Sequence, residues 1–368
     1  MKEYLYEIIT GKTSGPFAAV IKLLLFMLSL VYGLGLFFRK LLYKLHILKS
    51  KRLTAKVISI GNITWGGTGK TPLVEFIASS LKERGHKVAV LSRGYKRKKT
   101  GANQIIHNGK DLNSKVASLN DLGDEAFLLA EALADVPIGV GPDRVKSARI
   151  IQEKFHPDIL ILDDGFQHRR IARDLDIVAI DATHPFGNGF ILPLGIMREP
   201  KCALKRADIF VITKTNINPD IKDLKAALDK INPRALIVEC EYKILGLYDA
   251  LDAGKKLKDL SGFKDRPIAC ISSIANPASF EKMLSLSGME IKKVVSFTDH
   301  HHYTRGDIEG IVASCRANNI ENVVTTEKDK VRLKDYLLNT GGIRFFVLKI
   351  ALEIKQHEEF FKRISSIY

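Results

Sequence analysis

The sequence predicts an α/β protein: a mainly parallel sheet covered by helices, preceded by a long apolar helix and followed by a second, smaller α/β unit. Three observations predict this. Short β-rich runs alternate with amphipathic stretches over most of the chain, the pattern of strands joined by crossover helices. One apolar run near the N-terminus is long enough to reach across a bilayer. A length of 368 residues exceeds what one ordinary core serves, which favours two units over one.

The apolar run, FAAVIKLLLFMLSLVYGLGLFF at 17–38, carries one charge, Lys22, and a spanning helix needs about 20 such residues. Its downstream flank holds Arg39, Lys40, Lys44, Lys49, Lys51 and Arg52 with no acid among them, whereas the upstream flank mixes Lys2 and Lys12 with Glu3 and Glu7. That bias places the C-terminal bulk on the cytoplasmic side. A buried core helix and a cleaved secretory signal are the competing readings, but the run is long for a signal, and Lys22 near one end can snorkel. Whether the helix spans or lies in the interface stays open.

Strands are expected at 56–61, 87–92, 104–107, 136–140, 158–163, 176–181 and 209–213, with helices at 121–134 and 144–155. A second alternation starts near residue 267: PIACISSI, a helix to about 287, KKVVSF, a helix at 307–317, NVVTT, IRFFVLKI and a polar terminal helix. The join lies at 233–262, where ALIVECEYKILGLYDAL reads as extended strands followed by Gly/Lys/Asp-rich turns. The chain thus divides into a membrane-associated helix with its basic flank (1–52), a main domain (53–235), an extended linker (236–266) and a smaller α/β domain (267–368).

Composition excludes some classes. Hydrophobic residues at 46% and charged residues at 27% rule out a disordered polyelectrolyte. A net charge of +16 implies an anionic partner: nucleic acid, acidic lipid or phosphorylated metabolite. Cys202, Cys240, Cys270 and Cys315 show no paired spacing of a zinc or redox site, and read as reduced thiols.

The strongest motif is KVISIGNITWGGTGKTP at 56–72, where a β-rich run leads through glycines into an amphipathic helix. It predicts a phosphate cradle over Thr64, Trp65, Gly66, Gly67, Thr68, Gly69, Lys70 and Thr71, hence a P-loop NTPase-like domain that binds ATP with Mg2+. Backbone N–H groups wrap the phosphates, Lys70 neutralises charge and the Thr71 hydroxyl ligates the metal. Thr64 stands where the first glycine of G-x-x-x-x-G-K-[ST] belongs, and Gly66 with Gly67 supplies the turn instead.

A strand at 158–163 delivers Asp163 and Asp164 at its C-terminal end, where one carboxylate can hold Mg2+ and the other position a reacting group. Asp124 and Glu125 open a helix, a place the macrodipole favours acids even without a catalytic role. In SFTDHHHYTRGD at 296–307, consecutive side chains point apart, so three histidines do not share one metal; a single imidazole oriented by an acid is the better reading. Thr304 and Asp307 there suit a helix cap. Arg144 in GPDR, and Arg198 with Glu199 in GIMREP, are candidates for phosphate contacts. YKRKK at 95–99 and the juxtamembrane basic run suit anionic lipid headgroups or plain solvation. TKT at 213–215 and TTEKDK at 325–330 either contact the base or solvate loops.

The ordered set GNITWGGTGKTP, LSRGY, GDEA, GPDR, DDGFQHR, MRE, FTDHHHY and VTTEKD, behind an N-terminal apolar helix, resembles the tetraacyldisaccharide 4'-kinases of lipid A biosynthesis over nearly the whole chain. The resemblance implies transfer of the ATP γ-phosphoryl group to the 4'-hydroxyl of a tetraacylated, monophosphorylated glucosamine disaccharide, giving lipid IVA. Its partners would be that anionic glycolipid and the lipid of a bacterial inner membrane, with catalytic domains on the cytoplasmic face and no nucleic acid. By the same resemblance Asp124 and His300 match a catalytic acid–base pair, and Lys70 and Thr71 the phosphate and Mg2+ positions. Asp163 and Asp164 match the acidic pair, with Arg144, Arg198 and Glu199 as further active-site polar groups, Glu199 toward the metal. The long N-terminal lead and the third histidine depart from the family pattern, leaving His300 and His301 both open. The rival reading is a membrane-recruited regulatory ATPase of the Min/Par type, against which Trp65 stands where that signature has lysine.

Overall fold

The computed structural model describes residues 8–9, 15–94, 104–106, 122–252, 254–264 and 266–368. The basic YKRKK cluster, the upstream flank of the apolar run, Asp121 and His107 lie outside them. Helix α1 is Pro16–Lys44, opened by a proline at its first turn, where a missing N–H costs nothing. Its 29 residues give a rod of about 43 Å at 1.5 Å per residue. Only 11% of its most apolar window is buried, and it is the one helix among the described residues long and apolar enough to cross a membrane.

Behind it come β1 (Lys56–Gly61), α2 (Lys70–Glu83), β2 (Val88–Ser92), β3 (Gln104–Ile106), α3 (Asp124–Ala132), β4 (Ile138–Val140), α4 (Arg144–Phe155), β5 (Ile159–Asp163) and β6 (Leu175–Asp181). Then follow β7 (Ile209–Thr213), α5 (Lys222–Ile231), β8 (Leu236–Asp249), β9 (Ile268–Ser272), α6 (Pro277–Leu286) and β10 (Ile291–Ser296). The last elements are α7 (Arg305–Ala317), β11 (Asn322–Thr326), α8 (Glu327–Leu333), β12 (Arg344–Ile354) and α9 (His357–Ser365).

All the described strands form one 12-stranded sheet in the order β10-β9-β11-β12-β8-β7-β6-β1-β5-β2-β4-β3. Pairing is parallel except for β12 with β8 and β3 with β4. Strands β5, β6 and β7 are buried throughout, which is why they read as unbroken apolar runs rather than alternating ones. The extended sequence expected at the join is a strand of this same sheet and not a linker between two sheets: β8 pairs parallel with β7 through residues 236–240 and antiparallel with β12 through 240–249. The terminal helix crosses back to the first half, where Phe361 packs on Phe76 of α2 and Arg84 lies over the Phe361 ring.

Local chemistry sets the helix starts. Asp143 caps α4 by accepting from the N–H groups of Val145 and Lys146, so Arg144 begins the helix where the sequence places it. Thr304 and Asp307 form a reciprocal capping box on α7. All four cysteines are free, three of them buried.

Candidate active site

Strand β1 lies between β5 and β6, and its C-terminal end feeds the glycine loop. The register Ile60↔Asp163 sets the end of β5 beside that loop, so the cradle and the acidic pair meet because the strands are adjacent. Gly66 and Gly69 take positive φ angles of 123° and 80°. At Gly69 a side chain is excluded twice over: by that angle, and because a Cβ would overlap the hydroxyl of Tyr242 on β8. Trp65 is 59% exposed at the rim.

The loop rests on the TKT segment. Thr213 Oγ1 donates to the Thr68 carbonyl at 3.0 Å, and Lys214 Nζ donates to the Gly67 carbonyl at 3.1 Å while ion-paired with buried Asp181. TKT therefore neither solvates a loop nor merely flanks one. It props the cradle from beneath.

Lys70, at the first position of α2, lies 3.6 Å from Asp164 Oδ1. Arg198 Nη1 donates to both Asp164 oxygens, at 2.8 and 2.7 Å, and Arg144 Nη1 donates to the Asp164 carbonyl at 3.1 Å. Burial works against the charge on Asp164, but Lys70 and Arg198 more than offset it and hold the carboxyl well below the usual range. Asp163 behaves oppositely. Burial, with the charges of Glu125 and Asp164 adding to it, pushes Asp163 up to about 6. Its Oδ2 accepts from Ser92 Oγ at 3.0 Å, while Oδ1 is buried with no hydrogen-bond partner. A buried carboxylate oxygen left open in the cavity that Thr71 also lines fits a divalent cation. The described residues hold no group of three or more metal-ligating side chains, so such a cation would take much of its shell from phosphate and water, as Mg2+ does.

This gives a pH-dependent outcome. A carboxyl raised above its unfolded value of 3.8 binds its proton more tightly when folded, so its stabilising effect is present below about 4 and lost as pH rises through about 6. With divalent cations chelated, Asp163→Asn should melt higher than the natural protein at pH 7, by about 1–3 kcal/mol at ~1.4 kcal/mol per pKa unit, and lose that advantage by pH 4. Thermal melts across that range check it; a variant less stable at pH 7 would show that the charge is well solvated.

His300 and Asp124 meet across the two halves of the chain, His300 Nδ1 to Asp124 Oδ2 at 2.9 Å. Burial opposes the Asp124 charge, yet the hydrogen bond to His300 and the Arg332 guanidinium outweigh it and keep the carboxyl below its ordinary value. An ionised carboxylate only accepts, so Nδ1–H donates. His301 is placed elsewhere: its ring stacks on Phe297 at 4.5 Å, and Nε2–H donates to Asp307 at 3.1 Å. His302 is exposed. Of the three, only His300 lines the large cavity.

That cavity, of ≈ 1050 Å³, runs from the glycine loop past Asp163, Asp164, Arg144, Arg198 and His300 to Tyr32, Leu36 and Arg39 of α1. The 190–199 segment ties the helix to the site. Backbone bonding joins Arg198 N to the Ile63 carbonyl at 2.7 Å and pairs Met197 with Thr64, while Tyr32 Oη donates to the Arg198 carbonyl at 2.9 Å. Ser29 bonds the backbone of Ile191 and Leu194. Glu199, expected toward the metal, is not brought to Asp163 and Thr71: its two oxygens accept from Arg39 at 3.2 Å and Arg206 at 2.9 Å. Burial left that acid needing two cations, and α1 supplies one of them.

A family model described as Tetraacyldisaccharide-1-P 4'-kinase matches residues 21–368. Curated relatives named tetraacyldisaccharide 4'-kinase include one from Halothermothrix orenii, 36% identical and covering 96% of this chain and 95% of its own. Another, from Syntrophus aciditrophicus, is 37% identical over 95% of this chain and 92% of its own. The chain belongs to the tetraacyldisaccharide 4'-kinase family. Among solved structures, the "apo" form of LpxK from Aquifex aeolicus in complex with ATP superposes with a TM-score of 0.74 at 29% identity, covering 95% of this chain and 99% of that one. Membership in a kinase family sets aside the Min/Par-type alternative and supports ATP as the ligand of the glycine loop.

Sequence reasoning passed over three residues that this kinase fold places at the site. Lys214 lies beneath the loop, Lys328 Nζ is 3.1 Å from Glu125, and Arg332 Nε is 3.2 Å from Asp124. TKT and TTEKDK drew notice as post-strand polar segments, but nothing local says which partner a lysine will find a hundred or more residues away.

Proposed function

We propose that this chain transfers the γ-phosphoryl group of Mg-ATP to the 4'-hydroxyl of a tetraacylated glucosamine disaccharide 1-phosphate, at the cytoplasmic face of a bacterial inner membrane. The observation that carries the reading is the continuity of the cavity from the glycine loop to α1. A sugar hydroxyl can lie at the phosphates while its acyl chains run along an apolar helix. The net charge of +16 suits the anionic acceptor and acidic lipid, and the basic residues after α1 favour the cytoplasmic face.

In this reading the loop from Thr64 to Gly69 cradles the nucleotide phosphates and Lys70 neutralises them. Thr71 and Asp163 hold Mg2+, which would spread the charge that develops on the transferring group. Asp164 fixes Lys70 and Arg198, and Arg144 holds the Asp164 backbone carbonyl. His300 accepts the hydroxyl proton, while Asp124 sets its tautomer and stabilises the imidazolium that forms. Glu199 acts structurally, as the tie between α1 and the site. Residues 53–235 and 267–368 work as two lobes, with β8 as their seam.

Acceptor dependence tests the function: ATP turnover should rise on adding an acylated disaccharide monophosphate. Turnover that ignores the glycolipid and responds only to a protein partner would sink the reading. Deleting residues 1–38 should leave ATP affinity within about threefold, because the groups that cradle the phosphates come from the loop at 64–71 and not from the helix, while membrane recovery and glycolipid use fall at least tenfold, on the order of 1.4 kcal/mol or more of lost binding. Cell fractionation and KM for each substrate check this. A full-length protein found wholly in the soluble fraction would contradict it.

A further inference from the structure

Helix α8 follows β11 directly. Thr326 caps its start by accepting from Asp329 N, and Asp329 is fully buried, accepting from Ser273 N at 3.1 Å, from Tyr303 Oη at 3.1 Å, from Thr326 Oγ1 at 2.7 Å and from Ser273 Oγ. Less than one turn later comes Arg332, its side chain 3% exposed. Its guanidinium reaches in two directions. Nη1 donates to Ser273 Oγ at 2.8 Å and to the His301 carbonyl at 3.0 Å, while Nε sits 3.2 Å from Asp124 Oδ2 as an ion pair that is not aligned as a hydrogen bond. That carboxylate oxygen also receives the His300 imidazole.

Both tethers bear on one histidine. His300 holds a left-handed φ of 60°, a conformation L side chains adopt only when neighbours fix it. Its N–H donates to the Ser273 carbonyl at 3.1 Å. Arg332 therefore grips the residue after His300, the residue that holds His300's own backbone, and the acid behind its ring. Asp124 comes from the first lobe, whereas Ser273, His301 and Arg332 come from the second. We propose that Arg332 is a positioning residue for phosphoryl transfer, a buried fork that holds the Asp124 carboxylate and the His300 backbone in register across the two lobes. The proposal rests on the reading of Asp124 and His300 as the proton-accepting pair.

A planar fork is the side chain this task requires. Arginine offers several donors in fixed directions and stays charged, whereas lysine presents one ammonium that cannot serve a carboxylate on one side and a hydroxyl with a carbonyl on the other. The competing role is structural, with Arg332 serving only to neutralise Asp329, 3.9 Å from Nη2. The two roles differ in what depends on Asp124.

The experiment uses the full-length protein with Mg-ATP and an acylated disaccharide monophosphate, comparing Arg332→Ala, Arg332→Lys, Asp124→Asn and the double variants. Arg332→Ala should lower kcat about 10–100-fold, the range for residues that orient a catalytic group, with KM for ATP within about threefold. Arg332→Lys should fall between it and the natural protein. On an Asp124→Asn background, Arg332→Ala should cost less than about threefold more, because groups acting as a unit lose little twice. A full kcat in folded Arg332→Ala, or a loss that multiplies with that of Asp124→Asn, overturns the proposal. If Arg332→Ala does not fold, Arg332→Lys is judged by the same non-additivity. A natural protein that transfers no phosphate to the glycolipid, or an Asp124→Asn variant at full rate, would instead defeat the underlying reading.

Discussion

Lys70→Ala and Thr71→Ala should each cut turnover with Mg-ATP by at least about a hundredfold, since one preorganised contact to developing charge is worth ~10²–10³ in rate. Their geometry makes the loss specific to chemistry. Lys70 projects from the first position of α2 toward Asp164, and Thr71 lines the same cavity as Asp163. The fold should survive Lys70→Ala, because Arg198 still holds both Asp164 oxygens. Steady-state kinetics with circular dichroism checks both points. Near-natural turnover by either variant would mean that the glycine loop holds something other than the reacting phosphates.

A comparable loss is expected at the dyad. His300→Ala and Asp124→Ala should each lower kcat by about 10²–10⁴, the usual worth of general-base catalysis, with little change in ATP affinity. The double variant should be scarcely worse than the worse single one. His301→Ala is the control. Its ring stacks on Phe297 and caps against Asp307, so its loss should lower the melting temperature while leaving most of kcat. A collapse of kcat in His301→Ala beside a full rate in His300→Ala would move the base by one residue.

What the sequence made legible was local. Strands β1 and β7 and helix α4 lie where alternation and capping put them, because unbroken apolar runs and an Asp143 cap need no distant information. The glycine loop and the acidic pair were legible for the same reason: each is one continuous segment whose chemistry is written in its spacing. Long-range pairing was not. The seam read as extended strands in a linker because a strand's partners are not encoded in its own residues. Glu199 beside Arg198 looked like a metal ligand, whereas it pairs with nearby Arg206 and with Arg39, a partner found only once α1 docks. His300 and His301 are equivalent in a list of residues. Phe297, Asp307 and Asp124 separate them in space. Arg332 carried no signal at all, since a buried arginine in a short helix reads as an ordinary surface charge until the lobes meet.

One cavity reaches from the glycine loop past His300 to α1, where the proposed lipid-bearing acceptor would place its hydroxyl against the nucleotide phosphates. Transfer of label from γ-labelled ATP to a purified acylated disaccharide 1-phosphate, compared for the natural protein and His300→Ala, tests that placement most directly. The glycolipid product should carry a second, labelled phosphate on the 4'-oxygen, formed at least about a hundredfold more slowly by the variant. Label that remains in inorganic phosphate for both proteins, or that reaches the glycolipid equally fast without the imidazole, would contradict it.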